Sequence, residues 1–160
     1  DETHDLDGAY PPTGKVPQGP ERLFVRNADE LRAAGQEKVV ADGEARTLRM
    51  LTKADGVGFS FSDVNLAAEN KCHLWYKNHW ETNLVISGQG QVTDLASGSV
   101  WPMAFGTMHV VGPKDRHIVE SFTGLHVISV FCPALQGDEQ HDADGALGPS
   151  GPIPPGPPED

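Results

Sequence analysis

The sequence predicts an all-β fold, a single-domain jelly-roll barrel preceded by one short helix. Three observations carry this prediction. Apolar residues alternate with small or polar ones at a period of two, most clearly in 57–64 (VGFSFSDV), where Val57, Phe59 and Phe61 interleave with Gly58, Ser60 and Ser62. Segments of similar length recur between turn signals: SGQG at 87–90, ASGS at 96–99, GPKD at 112–115 and TG at 123–124. Eight or more short strands at such spacing favour a closed or two-sheet antiparallel architecture.

Taken in order, residues 1–20 are rich in Pro and Gly and poor in large apolar groups. They bury too little surface to offset their ordering entropy, so a mobile arm is expected. In the segment NADELRAAG, Asn27 caps the helix, Glu30 takes the capping-box position, Leu31 faces inward and Gly35 ends it. Strands are expected at 46–51, 57–64, 72–76, 83–87, 90–94, 99–103, 108–111, 117–122 and 125–132. Pro133 closes the last, because it cannot donate to a ladder. Residues 143–160 repeat the Pro/Gly-rich composition and are expected to form a mobile tail, leaving one folded unit over 21–142.

Composition narrows the function classes. With 12 Lys and Arg against 23 Asp and Glu in 160 residues, the formal charge is -11. Phosphate binding draws on basic patches, so neither a nucleic acid nor an anionic membrane is an expected partner. No apolar run approaches the length of a membrane span, and no basic-then-apolar leader opens the chain. The two cysteines, Cys72 and Cys132, have no zinc-knuckle or disulfide-framework spacing, which fits reduced thiols and a cytoplasmic location.

The histidines are the chemical lead. Six of the seven lie beyond the N-terminal arm, and two segments organise them, CHLWYKNHWETNLVISGQG (72–90) and PMAFGTMHVVGPKDRH (102–117). Glu81 is followed by Gly88 after six intervening residues, and Gly106 precedes His109 by three (GTMH). In this order, on an all-β background, the two fragments resemble the paired motifs of the cupin superfamily, whose Glu and His point into the barrel and bind a metal. The two histidines that usually precede the Glu would fall at positions 74 and 76, which are Leu74 and Tyr76 here. The candidate for the missing ligand is His117. The GPKD turn is expected to fold the flanking strands into a hairpin, and the even separation of His109 and His117 is compatible with both rings facing one side. Two imidazoles and one carboxylate suit non-haem Fe(II), with Zn, Mn, Co or Ni as alternative occupants. The bland alternative is that all three are ordinary strand-end polar residues.

A closer resemblance runs over residues 22–145. YKNHWE (76–81) with GQG shortly after it, GFSF (58–61), GTM (106–108), VFCPAL (130–135) with the acidic and His residues that follow, and FVRN (24–27) occur in the order found in the ectoine synthase family. That resemblance implies a cupin domain over 21–142, a homodimer, and iron held at the positions of Glu81, His109 and His117. The middle ligand, Tyr in the family, is His here. The resemblance also places Arg49, Ser62, Phe131 and His141 against a small-molecule substrate, and gives Tyr76, Glu139 and His141 to proton transfer. Lys77 and His79 of the same motif are read as support for the strand turn. Two family pocket residues are absent, a Trp at the position of Ala45 and a Thr at that of Val64. Ordinary roles stay open for several of these: a surface ion pair for Arg49, core for Phe131, and a loop for Glu139 and His141.

The implied reaction is closure of a ring in an N-acetyl-diaminobutyrate-like substrate. A metal polarises the amide carbonyl, an amine of the same molecule attacks it and water leaves, so the enzyme is a hydro-lyase. The alternative is a non-haem Fe(II) cupin dioxygenase or oxidative cyclase using two His and one Glu, which His109 favours.

Overall fold

The computed structural model describes residues 23–40 and 43–157, so the expected arm over 1–20 lies outside the described residues. Helix α1 (Ala28–Ala33) is capped by the Asn27 side chain, which accepts from the backbone N–H groups of Asp29 and Glu30. It ends where Gly35 turns to φ 73°. Leu31, expected to face inward, is only half-buried. The strands that follow are β1 (Lys38–Val40), β2 (Ala45–Leu51), β3 (Ser60–Leu66), β4 (Asn70–Leu74), β5 (Trp80–Asp94), β6 (Val100–Met103), β7 (Met108–Val111) and β8 (His117–Cys132). Only β1 has no counterpart among the expected strands.

Two strands are much longer than expected. The pairs 83–87 with 90–94 and 117–122 with 125–132 fuse into β5 and β8, which run antiparallel from Trp80↔Cys132 to Asp94↔His117. The turn signals SGQG and TG therefore do not reverse the chain. They sit opposite each other as irregularities in the ladder, with Gly88 at φ 91° and Gly124 at φ 88°. A Cβ on Gly88 would stand 1.8 Å from the carbonyl oxygen of Gly124, so glycine is what lets the two strands bend together there.

The bend makes each long strand a member of two layers. The N-terminal half of β5 and the C-terminal half of β8 join β7 and β3–β2–β1. The C-terminal half of β5 and the N-terminal half of β8 join β6 and β4. This jelly-roll arrangement corrects the expected hairpin at GPKD. Strand β7 pairs with β5 and belongs to the first layer, whereas His117 opens β8 in the second. The turn crosses between layers, and His109 and His117 are not neighbours in one hairpin.

The expected tail is also corrected for residues 143–157, which pack along the barrel. Leu147 is 3% exposed and belongs to a core cluster with Tyr76, Val111, Phe131 and Leu135. Asn78 Nδ2 donates to the Leu147 carbonyl at 2.7 Å, and Trp80 Nε1 donates to that of Pro154 at 3.1 Å. Buried His79 and Ser150 share a hydrogen bond of 2.9 Å. An extended Pro-rich chain makes few hydrogen bonds with itself, so its carbonyls are free to accept from barrel side chains. Composition registers the prolines but not one well-placed leucine.

Candidate active site

Strand register builds the site in levels. At one level Glu81 stands opposite Phe131 and Val111. Two residues on, Asn83 stands opposite Ser129 and His109, Ser129 opposite Ser62, and Ser62 opposite Arg49. Side chains alternate across a strand, so residues two apart share a face and successive levels are about 7 Å apart. Glu81 and Phe131 of the first level, and all five of the second, line a cavity of about 100 Å³ between the two layers. A second, more open cavity of about 480 Å³ is lined by His117, and His109 lines both.

A polar chain runs through this wall. Ser129 Oγ lies 2.9 Å from Glu81 Oε1 and is also hydrogen-bonded to Asn83 Oδ1. The single Ser129 hydroxyl hydrogen is shared between these two acceptors, so neither is fully served. Asn83 Nδ2 then donates to His109 Nε2 at 3.3 Å. Burial raises the Glu81 carboxyl to about 7, against the opposing pull of its bonds to Ser129 and Asn83.

The histidines are held neutral. Burial, and after it the proximity of the His117 ring, lowers His109 to about 4, and burial also lowers His117. His117 Nδ1 donates to the Asp115 carbonyl at 3.0 Å, which leaves Nε2 as a lone pair buried without a partner. His109 Nδ1 is also buried without a partner, and with Nε2 accepting from Asn83 it carries the ring hydrogen. Tyr76, 4% exposed, lies edge-on to Phe131 at 5.0 Å and 5.8 Å from the His117 ring. Its hydroxyl shares a hydrogen bond of 3.1 Å with His141 Nε2. Burial, then the nearby Glu81, pushes the phenol well above its usual range, and burial lowers His141, so both are neutral.

The structure thus brings Arg49, Ser62, Tyr76, Glu81, His109, Phe131 and His141 to one cavity and places His117 beside it. Glu139 does not line the cavity. It accepts from Arg49 Nη1 at 3.0 Å and from the Gly137 N–H at 2.9 Å, as well as from the Gln136 N–H. Burial alone would raise its carboxyl, but those amides and Arg49 together hold it below the usual range. Burial lowers the Arg49 guanidinium despite Glu139 and Asp138. Arg49 is therefore half of a near-buried ion pair before any ligand arrives. Lys77 pairs with Asp144 at 2.6 Å and His79 with Ser150, so both brace the strand turn against the C-terminal segment. Sequence reasoning passed over Asn83 and Ser129. Their signal was register, two residues from Glu81 and from Phe131 on inward faces.

Glu81, His109 and His117 fit a metal ion in donor type, and His117 adds a buried unpartnered Nε2 and a second-layer contact that fixes its tautomer, whereas His109 Nε2 is taken by Asn83. Among the described residues, no three His, Cys, Asp or Glu side chains stand close enough together to form a finished cluster.

The model of the ectoine synthase family matches residues 23–150. An L-ectoine synthase of Sphingopyxis alaskensis is 40% identical over 124 residues, 78% of this chain and 89% of its own length. One from Desulfatibacillum aliphaticivorans is 36% identical over 124 residues, 78% of this chain and 95% of the relative. Among solved structures, the ectoine synthase from P. lautus superposes with a TM-score of 0.67 at 26% identity, covering 72% of this chain and 81% of that one. A cupin barrel protein from Salinispora arenicola, at 16% identity and a TM-score of 0.56, shares the fold over 69% of this chain and 89% of its own.

Proposed function

This chain belongs to the ectoine synthase family, and from that membership we propose that it is a hydro-lyase that closes a ring in an N-γ-acetyl-2,4-diaminobutyrate-like substrate with loss of water. The observation that carries this reading is the family match over most of the described chain, joined to a buried polar wall at the matched positions. The relatives found are ectoine synthases, which does not favour the oxidative alternative.

Glu81, His109 and His117 would hold the metal, with Fe(II) first and Zn, Mn, Co or Ni as other occupants. When bound, the ion supplies Lewis acidity toward the amide carbonyl of the substrate. The chain's own residues do the rest. The buried cavity excludes water, which favours loss of water from the closing ring and strengthens every polar contact within it. Phe131 and Tyr76 form an aromatic corner beside Glu81 that restricts the substrate to a folded conformation. Neutral His141 takes a proton from the attacking amine, and the Tyr76 hydroxyl, bonded to Nε2, holds that ring and passes the proton toward the departing oxygen. Arg49, kept in place by Glu139, faces the substrate carboxylate. The role of Glu139 is accordingly to position Arg49, a change from the proton-transfer role that sequence resemblance gave it.

Two coarser matters complete the reading. A homodimer is supported by exposed apolar residues on one stretch of the first layer, where Leu84 pairs with Met108 and Val110 follows. A cytoplasmic location is supported by Cys72 and Cys132, both free thiols. No described helix is long and apolar enough to cross a membrane. The site assignment is tested by elemental analysis of Fe(II)-loaded protein beside its turnover. Glu81→Ala and His117→Ala are expected to lose bound iron and activity together, and full activity with Glu81→Ala overturns the assignment.

A further inference from the structure

The cavity does not end at its polar level. One step further along the same strands stand Thr47, Val64 and Val127, paired in register, and one step beyond them Ala45, Leu66 and Leu125. Apart from Leu125, these residues line the cavity, and Val127, with Val64 and Leu66 packed against it, belongs to the same core cluster as Leu125. From the opposite layer Leu74, Met103 and Val119 close it. Polarity therefore changes abruptly along the cavity. Arg49, Ser62, Ser129, Asn83 and His109 share one level, whereas the next two hold a single hydroxyl, that of Thr47. Ala45, the smallest side chain at the far level, borders the cavity.

A polar group placed among these residues would lose its hydration with almost nothing to replace it, so only an apolar group gains by entering. The distance decides which apolar group. If the reacting carbonyl sits at the level of Asn83 and His109, the Val64–Val127 level lies about 7 Å on, measured between strand positions. Van der Waals contact accounts for about 4 Å of that distance. About 3 Å remains, roughly two C–C bonds at about 1.5 Å each. The methyl of an acetyl group does not span it, whereas an acyl chain one or two carbons longer does.

We propose that the preferred substrate carries an N-acyl group of three or four carbons, lodged among Ala45, Val64, Leu66 and Val127, and so is an N-γ-acyl-2,4-diaminobutyrate larger than the acetyl compound. The inference rests on the cyclodehydratase reading and specifies the substrate class of that same site. The chemistry balances as before. The amine nitrogen gives up its two hydrogens and forms a C=N double bond to the carbonyl carbon, the C=O bond breaks and its oxygen leaves with the two hydrogens as water, and the acyl chain remains as the alkyl substituent on the ring carbon. A propionyl substrate thus yields a 2-ethyl cyclic amidine in place of the 2-methyl product.

The test is kcat/KM of the full-length Fe(II)-loaded protein for the N-γ-acetyl, propionyl and butyryl compounds, with products identified by mass spectrometry. Each buried methylene is worth about 0.8 kcal/mol, so propionyl is expected to exceed acetyl by roughly four-fold. Val64→Thr keeps the side-chain shape and adds a hydroxyl, and is expected to lower the propionyl-to-acetyl ratio. Leu66→Phe fills the far level and should bring the ratio below one. If acetyl is processed and propionyl is equal or slower, this inference falls while the parent reading stands. If none of the three is cyclised, both fall.

Discussion

Glu81 gives a quantitative test of how the site is built. Its carboxyl is buried beside Ser129 and Asn83, and burial raises it from the ordinary 4.5 to about 7. The folded state therefore holds this proton more tightly than the unfolded chain does. The stabilisation is fully present below about pH 4.5 and is lost as pH rises through about 7, about 3 kcal/mol in all at 1.36 kcal/mol per pH unit. Glu81→Gln removes the titration and keeps a neutral side chain of the same shape. In chelator-treated protein, urea unfolding at pH 5.5 and pH 8 should show the variant gaining on the native sequence by about 2 kcal/mol between the two conditions, because about 1.5 pH units of the linkage fall in that window. Comparison with the variant also cancels the other groups. The histidines with lowered values, His79, His109, His117 and His141, destabilise the fold as pH falls in both proteins alike. Parallel pH profiles for the two proteins would refute the buried, protonated carboxyl.

Two further outcomes follow from the geometry. Tyr76→Phe removes only the hydroxyl that bonds His141, so kcat should fall by roughly 100-fold, the lower range for a proton-transfer group, while thermal unfolding registers a loss of about 1 kcal/mol. Leu147→Ala should cost about 2–5 kcal/mol in urea denaturation and raise KM, because this side chain is both core and cavity wall. A surface-like cost below about 0.5 kcal/mol would instead show that residues 143–157 are not seated on the barrel.

Much of the fold was legible because one buried face imposes alternation on each strand, and the Asn27 cap and Pro133 stop are local chemical devices. What misled was punctuation. SGQG and TG have the composition of turns, yet Gly88 and Gly124 use their positive φ to bend two paired strands, a role that appears only when each glycine's partner is known. The GPKD crossing failed as a hairpin for the same reason: strand order is non-local, and nothing between 109 and 117 says that β7 joins one layer and β8 another. The C-terminal segment was misread because its ordering comes from outside, from Asn78, His79 and Trp80.

At the site, the motif residues Glu81, His109 and Tyr76 were visible through family spacing. Asn83 and Ser129 were not, because each is a common polar residue whose importance lies in standing opposite the other. Glu139 was visible as a residue but its contacts were not. Only the structure shows that its charge is committed to Arg49 and to two backbone amides.

The central claim is the cyclisation itself. Its most direct test is anaerobic incubation of the Fe(II)-loaded protein with N-γ-acetyl- and N-γ-propionyl-2,4-diaminobutyrate, with ring formation followed by NMR. The account predicts a cyclic amidine and one equivalent of water without oxygen. Failure to close a ring from either substrate with iron demonstrably bound, or closure only when oxygen is admitted, would contradict it.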